Sequence, residues 1–303
     1  QGKSKHTDQP TNQKLNETNK PTTMKIAVFS AQPYDREFLT ERSTQSPHSH
    51  ELFFFDTILQ PQTASLAQGC DAICTFVNDN VDAQTIEHLP ETIKLICNRC
   101  AGFNNIDLEA ASKRGITVAR VPAYSPFATA EYTIALMMTL NRKIHKAHDR
   151  VRNGNFTING LMGMDMYGKT VGVIGTGQIG AIVTRILSQG FRCRVLAYDV
   201  YRNEEVAQMS GVTYVDDVNE VYKQSDVITM HCPLNAQTHH LINEQALNQM
   251  KSNVLLINAS RGAVIDTKAV IHALKRKRIG GLAIDVYENE GAFFFRDFSE
   301  SGF

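Results

Sequence analysis

The stretch Thr170-Val-Gly-Val-Ile-Gly175-Thr-Gly177-Gln178-Ile179-Gly180-Ala-Ile-Val183 decides the fold of this chain. It reads as a buried strand, a glycine turn and the start of a helix, with glycines spaced G-x-G-x-x-G. Gly175 lets the chain turn sharply. Gly177 keeps a side chain away from where a pyrophosphate approaches backbone N–H groups, and Gly180 lets the helix pack on its strand. The helix N-terminus then offers partial positive charge to the phosphates. A glycine turn can also serve only to close a helix onto a sheet, so the discriminating feature is an acid ending a second strand about 20 residues on. Arg194-Val-Leu-Ala-Tyr-Asp199 supplies it. Asp199 suits a ribose diol, and its charge repels a 2′-phosphate, which favours NAD over NADP.

Downstream of this turn the strands Val171–Gly175, Arg194–Asp199, Thr213–Val215, Asp226–His231, Val254–Asn258 and Gly281–Asp285 alternate with helices over Gln178–Gln189, Asn203–Met209, Asn243–Met250 and Thr267–Arg276. Six strands opening on a dinucleotide turn make a doubly wound Rossmann domain over residues 123–298. Upstream, Lys25–Ser30, Glu51–Asp56, Asp71–Val77, Ile93–Asn98 and Ile116–Val121 alternate with helical patterns, a second doubly wound parallel sheet over residues 24–122. Ser125 caps and Pro126 opens a long helix read from Phe127 to Arg152, whose Ala130, Ile134, Met137, Met138, Leu140 and Ile144 form a core or subunit stripe. Residues 1–23 carry one large apolar residue, Leu15, and read as a disordered tail.

With 31 basic and 31 acidic residues the chain has no field to gather nucleic acid or an anionic membrane, so small molecules and copies of itself are the expected partners. It has no apolar run of the roughly 20 residues that span a bilayer, and a cytoplasmic location is expected. Cys70, Cys74, Cys97, Cys100, Cys193 and Cys232 sit mostly in strand-like runs and read as free thiols. Cys97-Asn-Arg-Cys100 lacks a second pair at zinc spacing, and no metal is expected.

In a Rossmann domain the ligand lies beyond the carboxyl ends of the strands. There Cys232-Pro233 fixes a turn beside a cofactor ring, with Thr238 close after. Arg261, in Asn258-Ala259-Ser260-Arg261-Gly262, suits a carboxylate because guanidinium is always charged and forks onto it through two bonds. Asp285 can bond a nicotinamide carboxamide, and Glu288 or Glu290 can orient and charge a histidine. In the upstream unit, backbone N–H groups in Cys100-Ala101-Gly102-Phe103-Asn104 can hold a carboxylate as a small nest.

These segments, together with Arg99-Cys-Ala-Gly-Phe-Asn-Asn-Ile-Asp107, Val121-Pro-Ala-Tyr124 and Asp285-Val-Tyr-Glu-Asn-Glu290, make the chain similar to the D-isomer-specific 2-hydroxyacid dehydrogenases, nearest their bacterial fermentative D-lactate branch. The resemblance covers Met24 to about Phe298 and implies a flavodoxin-like catalytic domain beside the Rossmann domain. It implies reduction of a small 2-oxo acid by NADH, pyruvate to D-lactate first among them. Arg261 then binds the substrate's carboxylate and carbonyl oxygen, with the Ala101 and Gly102 amides and Tyr124 completing the carboxylate site. Glu290 sits behind a catalytic histidine. Gln178, Ile179, Asp199, Cys232, Pro233, Thr238, Ala259, Ser260 and Asp285 fall on cofactor positions.

In the family that histidine follows the glutamate, and a returning segment then completes the first domain. No histidine follows His272 here, and residues 299–303 end the chain. The expectation is therefore a fragment without its proton donor, the alternative being an inactive NAD-binding or NAD-sensing relative. A homodimer is expected, and His231, His239 and His240 are expected to be structural or surface residues.

Overall fold

The computed structural model describes residues 23–290, 293, 298 and 299, so the tail read over 1–23, apart from Thr23, and residues 300–303 lie outside the described residues. The chain divides into two compact units, Gln1–Pro122 and Ala123–Phe303.

The first unit is built on β1 (Lys25–Val28), β2 (Glu51–Phe54), β3 (Ala72–Thr75), β4 (Leu95–Asn98) and β5 (Thr117–Arg120), in the order β2-β1-β3-β4-β5 with every pair parallel. This is the flavodoxin-like order. The second is built on β6 (Thr170–Ile174), β7 (Arg194–Tyr198), β8 (Val212–Tyr214), β9 (Val227–Met230), β10 (Leu255–Asn258) and β11 (Gly281–Ile284). Its parallel order, β8-β7-β6-β9-β10-β11, is that of the Rossmann fold. Both orders are those expected of two doubly wound sheets.

The apolar runs explain the parallel pairing. All four residues of β3 and of β9 are buried, as a strand covered on both faces requires. In the second unit Val171, Val173, Val195 and Ile257 pack with Ala130 and Met137 of the helix Pro126–Arg142. Ile174, Ile228, Met230 and Leu256 pack in a separate core with Val221, Leu247 and Val270. Among the described residues no helix is long and apolar enough to cross a membrane.

Three expectations are corrected. The helix read from Phe127 to Arg152 is two, Pro126–Arg142 and Ile144–Arg152, broken at Lys143, whose φ is +53°. The buried Asn141 side chain exchanges bonds with Met164 N–H and C=O (3.0 and 2.8 Å), which fixes the first helix's end. The second helix buries no residue, so no core holds the two in line. The strand read at Thr213–Val215 runs one residue earlier. The helix read over Asn203–Met209 shrinks to Glu204–Ala207, because Asn203 caps it by accepting from Glu205 and Val206 N–H.

Candidate active site

The glycine turn leaves β6 and enters the helix Gln178–Arg185. Gly175 has φ +93°, and a Cβ there would sit 2.6 Å from the His231 carbonyl carbon. At Gly180 it would lie 2.0 Å from the Gly175 oxygen, whereas at Gly177 it would meet no protein atom within 4 Å. The N–H groups of Gly177, Gln178 and Ile179 find no protein acceptor among the described residues. Open space beside free amides at a helix N-terminus fits a pyrophosphate.

Asp199, just past β7, accepts from Thr176 N–H (2.5 Å), from the Thr176 hydroxyl (3.1 Å) and from Tyr201 N–H (3.1 Å). The Tyr214 hydroxyl donates to Thr176 Oγ1 (2.7 Å), and the Asn203 amide donates to Thr176 O (3.0 Å). The acid and the glycine turn therefore meet through Thr176. Sequence reading assigns Thr176, Tyr214 and Asn203 no part in the site; the one signal was a hydroxyl residue between two motif glycines.

At the exit of β9, His231 is half-buried, with Nε2 3.0 Å from Thr229 Oγ1, and desolvation of its ring pulls its pKa down to about 4. Its imidazole is therefore neutral at the strand exit at neutral pH. Cys232 is buried too, its thiol pushed up to about 11 by desolvation. The Thr238 hydroxyl donates to Pro233 O over 2.5 Å and closes the following loop.

At the exit of β10 the fully buried Asn258 shapes the turn: its Nδ2 donates to Arg261 O (2.9 Å) and its Oδ1 accepts from Ser260 N–H (3.0 Å) and Oγ (2.7 Å). Ala259 follows Asn258 in the same turn. Arg261 is exposed and its guanidinium bonds only its neighbour's carbonyl, Ser260 O, at 2.8 Å; no carboxylate pairs with it among the described residues. Asp285, exposed past β11, donates its backbone N–H to Asn258 O over 2.9 Å. It also raises the Tyr132 phenol's pKa through its charge.

The two glutamates separate. Glu288 Oε1 lies 2.7 Å from His240 Nε2 and Oε2 accepts from Thr267 N–H at 3.3 Å, so the histidine this acid orients is His240. That bond holds the Glu288 carboxyl below its usual range. His240 has φ +52° and donates its N–H to Ala263 O (2.8 Å), locking the loop after Thr238. The ligating atoms of His239, His240 and Glu288 lie within 4.8 Å of one another, but the two rings stack at 4.0 Å and Glu288 is engaged on both oxygens. Glu290 Oε2 accepts from Tyr287 N–H at 3.0 Å and faces no histidine among the described residues.

In the first unit, Ala101 and Gly102 form a loop leaving β4. Gly102 O accepts from Asn98 Nδ2 (2.7 Å) and Cys100 Sγ (3.0 Å), and Ala101 O accepts from Arg120 Nη1 (2.8 Å). The Ala101 and Gly102 N–H groups find no protein acceptor among the described residues. Tyr124 is exposed. The structure thus gathers Gly175, Gly177, Gly180, Asp199, Cys232, Ser260, Arg261 and Asp285 at the carboxyl edge of the second sheet, and sets Ala101 and Gly102 at that of the first.

Residues 134–297 match the family model described as D-isomer specific 2-hydroxyacid dehydrogenase, NAD binding domain. A D-lactate dehydrogenase of Escherichia coli is 50% identical over 275 residues, which cover 90% of this chain and 82% of that protein. Among solved structures, one reported with the identification of the pyruvate reductase of Chlamydomonas reinhardtii has a TM-score of 0.83 at 43% identity, covering 92% of this chain and 81% of that one. A D-lactate dehydrogenase from Aquifex aeolicus complexed with NAD and lactic acid has a TM-score of 0.78 at 35% identity, covering 88% and 78%.

Proposed function

The chain belongs to the D-isomer-specific 2-hydroxyacid dehydrogenases, NAD-dependent oxidoreductases of 2-hydroxy acids, and from that premise we propose that it interconverts pyruvate and D-lactate. The observation that carries the reading is Arg261: a guanidinium at the carboxyl edge of the nucleotide sheet with no carboxylate partner among the described residues. Such a group forks onto an acid substrate, and no second basic side chain beside it in the sequence calls for a phosphorylated one.

In this reading NADH supplies the hydride. The amides of Gly177, Gln178 and Ile179 hold the pyrophosphate, and Asp199 takes the ribose diol. Cys232, Pro233, Thr238, Ala259 and Ser260 line the nucleotide, and Asp285 accepts from the carboxamide. In the second unit Arg261 is assigned to the substrate's carboxylate and carbonyl oxygen, with Tyr124; in the first unit the Ala101 and Gly102 amides are assigned to a carboxylate. Arg261 stabilises the negative charge that grows on the carbonyl oxygen, and Glu290, which faces no histidine among the described residues, would in the role the resemblance gives it raise the pKa of a histidine donor. The first unit is the substrate domain and the second the nucleotide domain.

The exposed Phe156, Ile158 and Met162 (76, 82 and 86%) support self-association as a homodimer. Six free cysteines support a reducing compartment, the cytoplasm.

The test follows NADH oxidation with pyruvate, phenylpyruvate and a branched 2-oxo acid, then NAD reduction with D- and L-lactate. Pyruvate and D-lactate are expected to lead their series. Tight NADH binding with no turnover of any acid, both by this chain and by the chain joined to the C-terminal remainder of a relative, overturns the reading in favour of an NAD-sensing protein.

A further inference from the structure

We propose that Asn98 is a positioning residue for substrate, holding in place the backbone amides that receive its carboxylate; this rests on the acid-binding reading of the loop after β4. Three successive carbonyls of that loop are tied to the protein: Cys100 O accepts from Val121 N–H (3.3 Å), Ala101 O from Arg120 Nη1 (2.8 Å), and Gly102 O from Asn98 Nδ2 (2.7 Å) and Cys100 Sγ (3.0 Å). In a trans peptide the N–H points opposite to the carbonyl of the same unit. Tying those three carbonyls inward therefore turns the N–H groups of Ala101, Gly102 and Phe103 outward. None of the three meets a protein acceptor among the described residues.

Asn98 is the anchor whose orientation is settled from a second strand. It is 2% exposed, ends β4, and pairs in register with Thr75 on β3. The Thr75 hydroxyl donates to its Oδ1 over 3.3 Å, which leaves Nδ2 facing Gly102 O. A buried amide that loses its acceptor is costly, so this bond persists while the outward N–H groups wait for an anion. Asn258 does the same on the second sheet, ending β10 and donating Nδ2 to Arg261 O. In each unit, a buried asparagine at a strand's last residue sets a loop assigned to the substrate's acid group.

The test titrates oxamate, a pyruvate isostere, into the protein saturated with NADH, and measures NADH affinity and thermal stability beside it. Asn98→Ala is expected to weaken oxamate binding by about tenfold, with NADH affinity changed less than about twofold. Cys100→Ala is expected to weaken oxamate less, and Cys100→Ser, which restores a donor to Gly102 O, to bind as the unaltered protein does. If unaltered protein binds NADH but not oxamate, the acid-binding reading falls and this proposal with it. If unaltered protein binds oxamate and Asn98→Ala binds it equally well, the reading stands and the positioning role is overturned. If Asn98→Ala fails to fold, the Cys100 pair decides: equal affinities in the Ala and Ser variants overturn the proposal.

Discussion

The side-chain amide of Asn258 donates to the backbone carbonyl of Arg261 over 2.9 Å, so a residue with no exposed surface holds the turn that carries an exposed charge of the site. Its carbonyl oxygen also takes both Ser260 donors, and the whole turn depends on one side chain. Asn258→Ala is expected to lower kcat/KM for pyruvate by roughly tenfold or more and stability by about 1–3 kcal/mol, and to weaken NADH as well, because Ser260 of the same turn is assigned to the nucleotide. Steady-state kinetics beside urea unfolding measures both; an unchanged kcat/KM would show that the turn holds its shape without the asparagine.

Gly177 and Gly180 separate ligand binding from folding. Gly177 has φ −62° and ψ −165°, which any residue adopts, and open space outside it. Gly177→Ala is expected to leave stability within about 0.5 kcal/mol while weakening NADH binding by about tenfold or more. Gly180→Ala forces a methyl to 2.0 Å from the Gly175 oxygen and is expected to cost at least about 1–3 kcal/mol. Thermal unfolding with and without NADH distinguishes the two, and a Gly177→Ala protein that binds NADH normally removes the pyrophosphate from this turn.

Asp199 is expected to set cofactor choice by charge. Replacing it with alanine is expected to weaken NADH by about tenfold and to narrow the preference over NADPH, because the repulsion of a 2′-phosphate goes with the carboxylate. The loss includes the two bonds Asp199 takes from Thr176, so the glycine turn loosens as well. Fluorescence titration with both nucleotides gives the ratio; an unchanged ratio would sink the assignment.

His231 makes stability depend on pH. Burial pulls its pKa from 6.5 to about 4, so between those values the unfolded chain binds a proton that the folded chain refuses. The stabilisation is present above pH 6.5, is lost as pH falls toward 4, and amounts to roughly 3 kcal/mol for a shift of that size. His231→Gln is expected to flatten the stability curve over that window. Chemical unfolding at pH 7, 5.5 and 4 checks it, and parallel curves for the two proteins refute it.

Much of this was legible in the chain itself. Continuous apolar strands alternating with helical patterns require a parallel sheet with both faces covered, so both sheets could be read before any contact was known. Local chemistry was equally readable where one residue suffices: Ser125 and Pro126 start a helix, and Gly175 turns through a positive φ. The break at Lys143 was not readable. It depends on Asn141 reaching Met164, and periodicity carries no record of a partner so distant in sequence.

The sequence by itself determined the two sheets, the glycine turn, and the placing of Asp199 and Arg261 at strand exits, because strand period, glycine spacing and residue type act over short stretches of chain. Only the tertiary structure decided which glutamate meets which histidine, that Thr176 joins the turn to Asp199, and that Asn98 and Asn258 shape the two loops. Those are hydrogen bonds between strand exits and loops, and their donors and acceptors face each other only after the sheets have formed.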